Sequence, residues 1–341
     1  MTSHRIAPLS RGTRGACALR FACAWIVTPL VLAMVPLVVR AQLELVQTIE
    51  MPDVTGRLDH LAIDATGQTL FVAALGAGEV EVVDLKAGRM STRLRGLREP
   101  QGVAYLEKAQ RLLVANGAGA TLTAFEGNHE VAAVGELDDA DNIRVDRQTD
   151  RVYVGYASAL AVVDPQRMRA IERFALPGHP EAFELATRGP QIYVNVPTAK
   201  RIVVIDRRSG SSIASWDVSP ASRNFPMALD EANHRLFIAT RQPATLQVYD
   251  VIEGRRIAVV PLCGDADDLF LDSVRGQVYA ICGAGQVDVL RSVRDRFELV
   301  QRIRTSSGAR TGLFVPSLQT LFVAAPSLGD RSAVIQVFRI R

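Results

Sequence analysis

From residue 43 onward the apolar positions fall in short bursts of four to six residues. Each burst is rich in Val, Ile, Phe and Tyr and is separated from the next by Gly, Asp, Asn or Pro. Runs of this length and composition, bounded by turn residues, predict β-strands. No stretch in this region sustains an apolar period of 3.6, so helices are not expected. The bursts also recur. HLAIDATGQTLFVAAL, GVAYLEKAQRLLVANG, NIRVDRQTDRVYVGYA, AFELATRGPQIYVNVP, PMALDEANHRLFIATR, DLFLDSVRGQVYAICG and GLFVPSLQTLFVAAPS are copies of one unit. The first six begin at His60, Gly102, Asn142, Ala182, Pro226 and Asp268, 40 to 44 residues apart, and the seventh begins near Thr311 with a turn one residue shorter.

Each copy reads as an inner strand, a polar turn, a second strand, a third such as VEVVDL or RIVVID, and a fourth such as AIERFAL or RIAVVPL. A four-stranded unit of about 40 residues repeated seven times predicts an all-β, seven-bladed β-propeller with antiparallel blades. The seventh copy stops after its third strand, AVIQVFRI, while an unclaimed strand, LELVQTIEM, precedes the first copy. Pairing that N-terminal strand into the last blade would close the ring and leave no open edge.

The endings of the second strands, above all LLVANG and IYVNVP, resemble the YVTN repeat. From about Leu43 to Arg341 the chain is similar to the bacterial exported YVTN-repeat (YncE-like) seven-bladed propellers, although FVAA and VYAI depart from the tetrapeptide. The resemblance implies the fold. It leaves activity open, because propellers of this shape include lactonases, cycloisomerases, redox subunits and binding proteins.

The first 41 residues change the reading of charge and compartment. A basic start with Arg5, Arg11, Arg14 and Arg20, the apolar run FACAWIVTPLVLAMVPLVV and the small-residue ending VRA predict a cleavable signal peptide, with residues 42–341 as one exported propeller domain, periplasmic or secreted. Five of the 39 basic residues and none of the 36 acidic ones lie in this leader, leaving 34 basic against 36 acidic. The basic character therefore belongs to the leader, and without a Lys/Arg cluster elsewhere nucleic-acid binding is not expected. Cys263 and Cys282 remain, and in an oxidising compartment two cysteines more often pair than stay free. No membrane span is expected after cleavage, and the chain is expected to be a monomer.

Asp64, Asp146, Asp230 and Asp272 stand at one repeat position, the turn after the inner strand, where a short carboxylate accepts backbone N–H groups. Chemistry is expected where copies differ. The segments entering the inner strands all meet at one mouth of the central channel. They bring Asp59 and His60; Gln101; Asp139, Asp141 and Asn142; His179 and Glu181; Arg223 and Asn224; Asp265, Asp267 and Asp268; and Arg310. Loops after the second strands add Asn116, Tyr156, Asn195 and Arg241. These side chains are expected to face a wet funnel, so that substituting them spares the fold.

Three readings follow. The mouth could hold a divalent cation, calcium or a transition metal, through Asp141, Asp267 and His179; blades one and four lie nearly opposite, which is expected to keep His60 and His179 from sharing one ion. It could be a lactonase-like hydrolase with His60 or His179 as base, Glu181 as acid and Arg223 and Arg310 as anion clamps. Or the charges pair with one another, and the protein is a non-catalytic module that binds a small molecule or an exported protein. No G-x-S-x-G, H-E-x-x-H or P-loop sequence occurs to favour an enzyme.

Overall fold

A computed structural model describes residues 42–293 and 296–341. The expected signal peptide lies outside the described residues. Residues 41–341 form one compact unit. Within it, seven four-stranded antiparallel sheets follow one another as blades, each running from an inner strand at the axis to an outer strand at the rim. The inner strands are Leu61–Asp64, Pro100–Leu106, Ile143–Asp146, Phe183–Leu185, Ser222–Asp230, Ala266–Asp272 and Thr311–Val315. Among the described residues no helix is long and apolar enough to cross a membrane.

Both faces of each blade are apolar because each is covered by a neighbouring blade, which is why the second and third strands read as near-continuous hydrophobic runs. The core is accordingly divided into seven clusters, one in each gap between blades. The four turn aspartates act as expected: Asp64, Asp146, Asp230 and Asp272 accept the N–H groups of Gly67, Gln148, Asn233 and Val274 at 2.8 to 3.2 Å.

The ring closes through the N-terminal strand Leu43–Met51, which pairs with Ala333–Ile340 from Leu43 opposite Ile340 to Met51 opposite Ala333. A bulge between Leu45 and Gln47 interrupts the register. An extra residue inverts the alternation of side chains beyond it. Leu43 therefore packs into the cluster with Tyr279 and Phe338, while Ile49 and Met51 pack into the cluster with Leu70 on the other side. The Gln301 amide of blade six both donates to and accepts from the Leu43 backbone, at 3.1 and 3.0 Å. Cys263, after the outer strand of blade five, is disulfide-bonded to Cys282 at the end of the second strand of blade six, with Cα atoms 5.9 Å apart.

Candidate functional site

Three of the entering segments are fixed in the same way, by extending the ladder of their blade. The N–H groups of Asp59, Asp141 and Glu181 donate to the carbonyls of Ala73, Gly155 and Asn195 at 2.8 to 3.0 Å. Gly102 makes room for this: a Cβ there would stand 2.1 Å from the Asp141 carbonyl oxygen. Asp267 reaches the mouth by another route. It occupies a bulge between Ala266 and Asp268 in the inner strand of blade six, and the extra residue aims its carboxylate at Arg241 on blade five.

At the level of the mouth side chains reach across from blades that are not neighbours. His60 Nε2 lies 3.9 Å from Asp141 Oδ1, and His179 Nε2 lies 4.0 Å from Asp141 Oδ2. His60 and His179, on blades one and four, thus flank the two oxygens of one carboxylate. His60 also stands 3.8 Å from Asp59 Oδ1 and, through Nδ1, 3.6 Å from Asp268 Oδ1. Asp268 accepts the Gly312 N–H at 2.8 Å. His179 Nδ1 is 3.4 Å from Asp139 and 3.2 Å from the Ala157 carbonyl oxygen.

Guanidinium groups occupy much of the remaining space. Arg57 pairs with Asp59 at 2.8 Å and lies 4.0 Å from Asp267. Arg241 binds Asp265 at 3.1 Å and Asp267 at 2.5 Å, donates to the Ala266 carbonyl at 3.0 Å, and stacks 4.0 Å above the Phe225 ring. Arg310 pairs with Asp265 at 3.0 Å. The wet funnel is therefore a largely buried ion-pair cluster: Asp59 is 1% exposed and Asp141 and Asp268 are each 8% exposed. Asp139, at 64% side-chain exposure, belongs to the rim, where Gln101 reaches it at 3.5 Å.

Several nominated residues fall outside the cluster. Arg223 is exposed, with φ +60°, and joins no carboxylate of the cluster among the described residues. Asn224 donates to Asn195 and to the Arg201 carbonyl at 2.9 and 3.1 Å, so these two asparagines lock blade four to blade five. Asn116 is buried against Thr121 and Thr123. Tyr156 packs under Arg173, and Asn142 is buried with its carbonyl accepting the Gly155 N–H. Among the described residues no three His, Cys, Asp or Glu side chains are disposed to hold a metal ion. The proposed set of Asp141, Asp267 and His179 is not assembled because Asp267 is turned toward guanidinium groups, which supply the positive charge in place of a cation.

More carboxylates than cations meet here, and the protonation states record it. Burial, more than any neighbour, lifts Asp59 well above the usual carboxylate range, with Asp141 and Asp267 adding to it against Arg57. Burial likewise pushes Glu181 up to about 8 and Asp268 up to about 7. Asp141 is the exception: burial opposes its ionisation, but its contacts with His179 and His60 outweigh this and hold it low. His179 is raised despite its burial, by Asp141 first and then by Asp139 and Glu181.

These shifts fix the sign of a pH effect. Glu181 and Asp268 titrate above the value of about 4 that carboxylates have in the unfolded chain, so the folded protein holds protons that the unfolded chain has released. Their contribution is complete below that unfolded value and is lost as pH rises through about 7 and 8. His179 acts in the same sense, while Asp141 contributes above its unfolded value and loses its effect only in acid. The protein should melt several degrees higher at about pH 5.5 than at about pH 8.5, and Asp268→Asn should shrink that difference; a melting temperature that climbs with pH across this range would contradict the assignment.

Beneath the cluster lies a cavity of about 1100 Å3 along the axis. His60 and Asp268 line one end, the inner strands form its walls, and its far end reaches the turns at Ala65, Lys108, Asp150 and Ser317. Arg144 and Glu184, which the lips did not nominate, stand in the wall. Of the nominated residues only His60 and Asp268 line this cavity; the rest of the cluster lies above it.

Two of the solved structures that the chain matches cover most of its length. One, titled Kuenenia stuttgartiensis hydrazine synthase, aligns with a TM-score of 0.74 and 16% identity over 83% of this chain and 96% of that one. The other, titled crystal structure of mitotic checkpoint complex, aligns at 0.72 and 13% identity over 96% and 98%. The protein is a seven-bladed β-propeller. At these identities the likeness establishes the fold alone. No family model and no curated protein matches the chain.

Proposed function

We propose that this propeller is an exported module of the YVTN-repeat type that binds a small molecule in its central channel and does not transform it. The axial cavity carries the proposal: its volume of about 1100 Å3 and its charged end at His60 and Asp268 suit a bound organic molecule. The ion pairing above it argues against a clamp for an anionic substrate, because Arg57, Arg241 and Arg310 are each already joined to a carboxylate. The leader-like first 41 residues and the paired cysteines support export. Lactone hydrolysis is the second reading, favoured by one observation: His60, flanked by Asp59, Asp141 and Asp268, reaches the end of the cavity.

A thermal-shift screen of small molecules and lactones, with turnover followed for each lactone, tests both. Ala104 lines the channel, so Ala104→Trp should fill it and remove any ligand-induced stabilisation. Arg223→Ala, at an exposed position, should leave the stabilisation unchanged. Ligand binding indifferent to Ala104→Trp would sink the channel proposal, and lactone turnover lost in His60→Gln would replace it with the hydrolase.

A further inference from the structure

The inner strands give the cavity an apolar and aromatic stretch of wall with Tyr105, Phe270 and Phe314, while Lys108, Arg111, Arg147 and Asp150 line it toward the turns. Into that wall the repeat inserts two charges at a single position. The third residue of the seven aligned inner segments is Ala62, Ala104, Arg144, Glu184, Ala228, Phe270 and Leu313. Five copies keep it apolar, and the adjacent blades three and four make it a cation and an anion.

The two charges form an ion pair without a hydrogen bond, with side chains 32% and 27% exposed. Arg144 Nε stands 3.8 Å from Glu184 Oε1, too far for a hydrogen bond. The Arg144 guanidinium instead donates to the Ile143 carbonyl at 3.0 Å and lies 5.6 Å above the Phe183 ring. The Glu184 carboxylate accepts no hydrogen bond from any described residue. Burial raises its titration above the ordinary range, with Arg144 only partly opposing. An ionised carboxylate accepts up to about four hydrogen bonds, so Glu184, 27% exposed at the cavity, keeps acceptor capacity for a ligand.

A ligand group that answers this site must donate hydrogen bonds, carry positive charge and tolerate aromatic faces. A primary ammonium does all three, since N–H groups meet the carboxylate and the charge is attracted to ring faces. We propose that the channel binds a primary amine carried on an apolar body, its ammonium on Glu184 and its body against the wall of Tyr105, Phe270 and Phe314. This inference rests on the channel-binding reading and narrows it.

Isothermal titration of the purified protein with octylamine, octan-1-ol and octanoate separates the ammonium from its tail. Octylamine should bind about tenfold or more tighter than octan-1-ol, as a hydrogen-bonded charge pair adds to the shared apolar contact. Octanoate should bind more weakly than octan-1-ol. Glu184→Gln should bring octylamine down to the affinity of octan-1-ol while leaving octan-1-ol unchanged. If Glu184→Gln folds poorly, the order of the three ligands on the unmodified protein decides the matter. Equal affinities that Ala104→Trp abolishes would overturn the amine inference and leave the channel-binding reading standing. No binding of octylamine, or an amine preference that survives Glu184→Gln, would also overturn it.

Discussion

Deletion of Leu43–Met51 should convert the folded protein into an aggregating chain, the largest effect expected of any change here. Leu43, Ile49 and Met51 are buried in two different inter-blade clusters. Burial of each such side chain is worth about 1.5–3 kcal/mol, so their joint loss approaches the whole of a typical folding stability of about 5–15 kcal/mol. The deletion also strips the ladder from Ala333–Ile340 and leaves Gln301 without the Leu43 backbone. What remains is a long apolar edge, the form of strand that recruits other chains. Size-exclusion chromatography and thermal melting read the outcome. A truncated protein that elutes as a monomer with an unchanged melting temperature would show that the ring does not depend on this strand.

The second large effect is expected at Arg241, in a region whose substitutions the sequence alone suggests are harmless. Arg241→Ala removes the shared partner of Asp265 and Asp267, a hydrogen bond to Ala266 and the stacking on Phe225. Taking one partner from a buried ion pair costs about 3–5 kcal/mol, because the remaining charge is left uncompensated. The loss should be greatest near pH 8 and smaller near pH 5. Burial already raises Asp267 against Arg241 and Arg57, and without Arg241 its carboxyl takes up a proton more readily, which removes the uncompensated charge. Arg241→Lys should recover part of the stability, since it keeps the charge and loses the planar fork. Chemical denaturation at the two pH values measures this. A variant as stable as Arg223→Ala, which should stay within about 0.5 kcal/mol of the unmodified protein, would mean that the cluster is solvated after all.

The blades, the turn aspartates and the closing strand are legible in the sequence because each is written as a repeated or missing member of a column. Burial at the mouth is not, since Asp59 and Asp141 sit in polar segments whose composition is that of a solvated loop. Only the reach of side chains across the ring at that level brings them under His60, His179 and Arg57. Bulges are equally silent: nothing in the residue types at Val46 or Asp267 marks the extra residue that reorients a strand. Blade five carries both Arg223 and Arg241, and the backbone, with φ +60° at Arg223, decides which of them is exposed. Arg144 and Glu184 were within reach. They break an apolar column in adjacent copies with opposite signs, a signal missed by attending to the lips instead of the strands.

The seam between Leu43–Met51 and Ala333–Ile340 also sets a schedule. It joins the first strand of the propeller to be synthesised with the last, and at about 5–20 residues per second the first waits on the order of tens of seconds for its partner. Six blades can assemble from neighbouring hairpins during that interval, whereas the seventh cannot. A chain halted before Ala333 should therefore hold folded blades beside an unpaired leading strand, which makes it a substrate for chaperones until the final residues arrive.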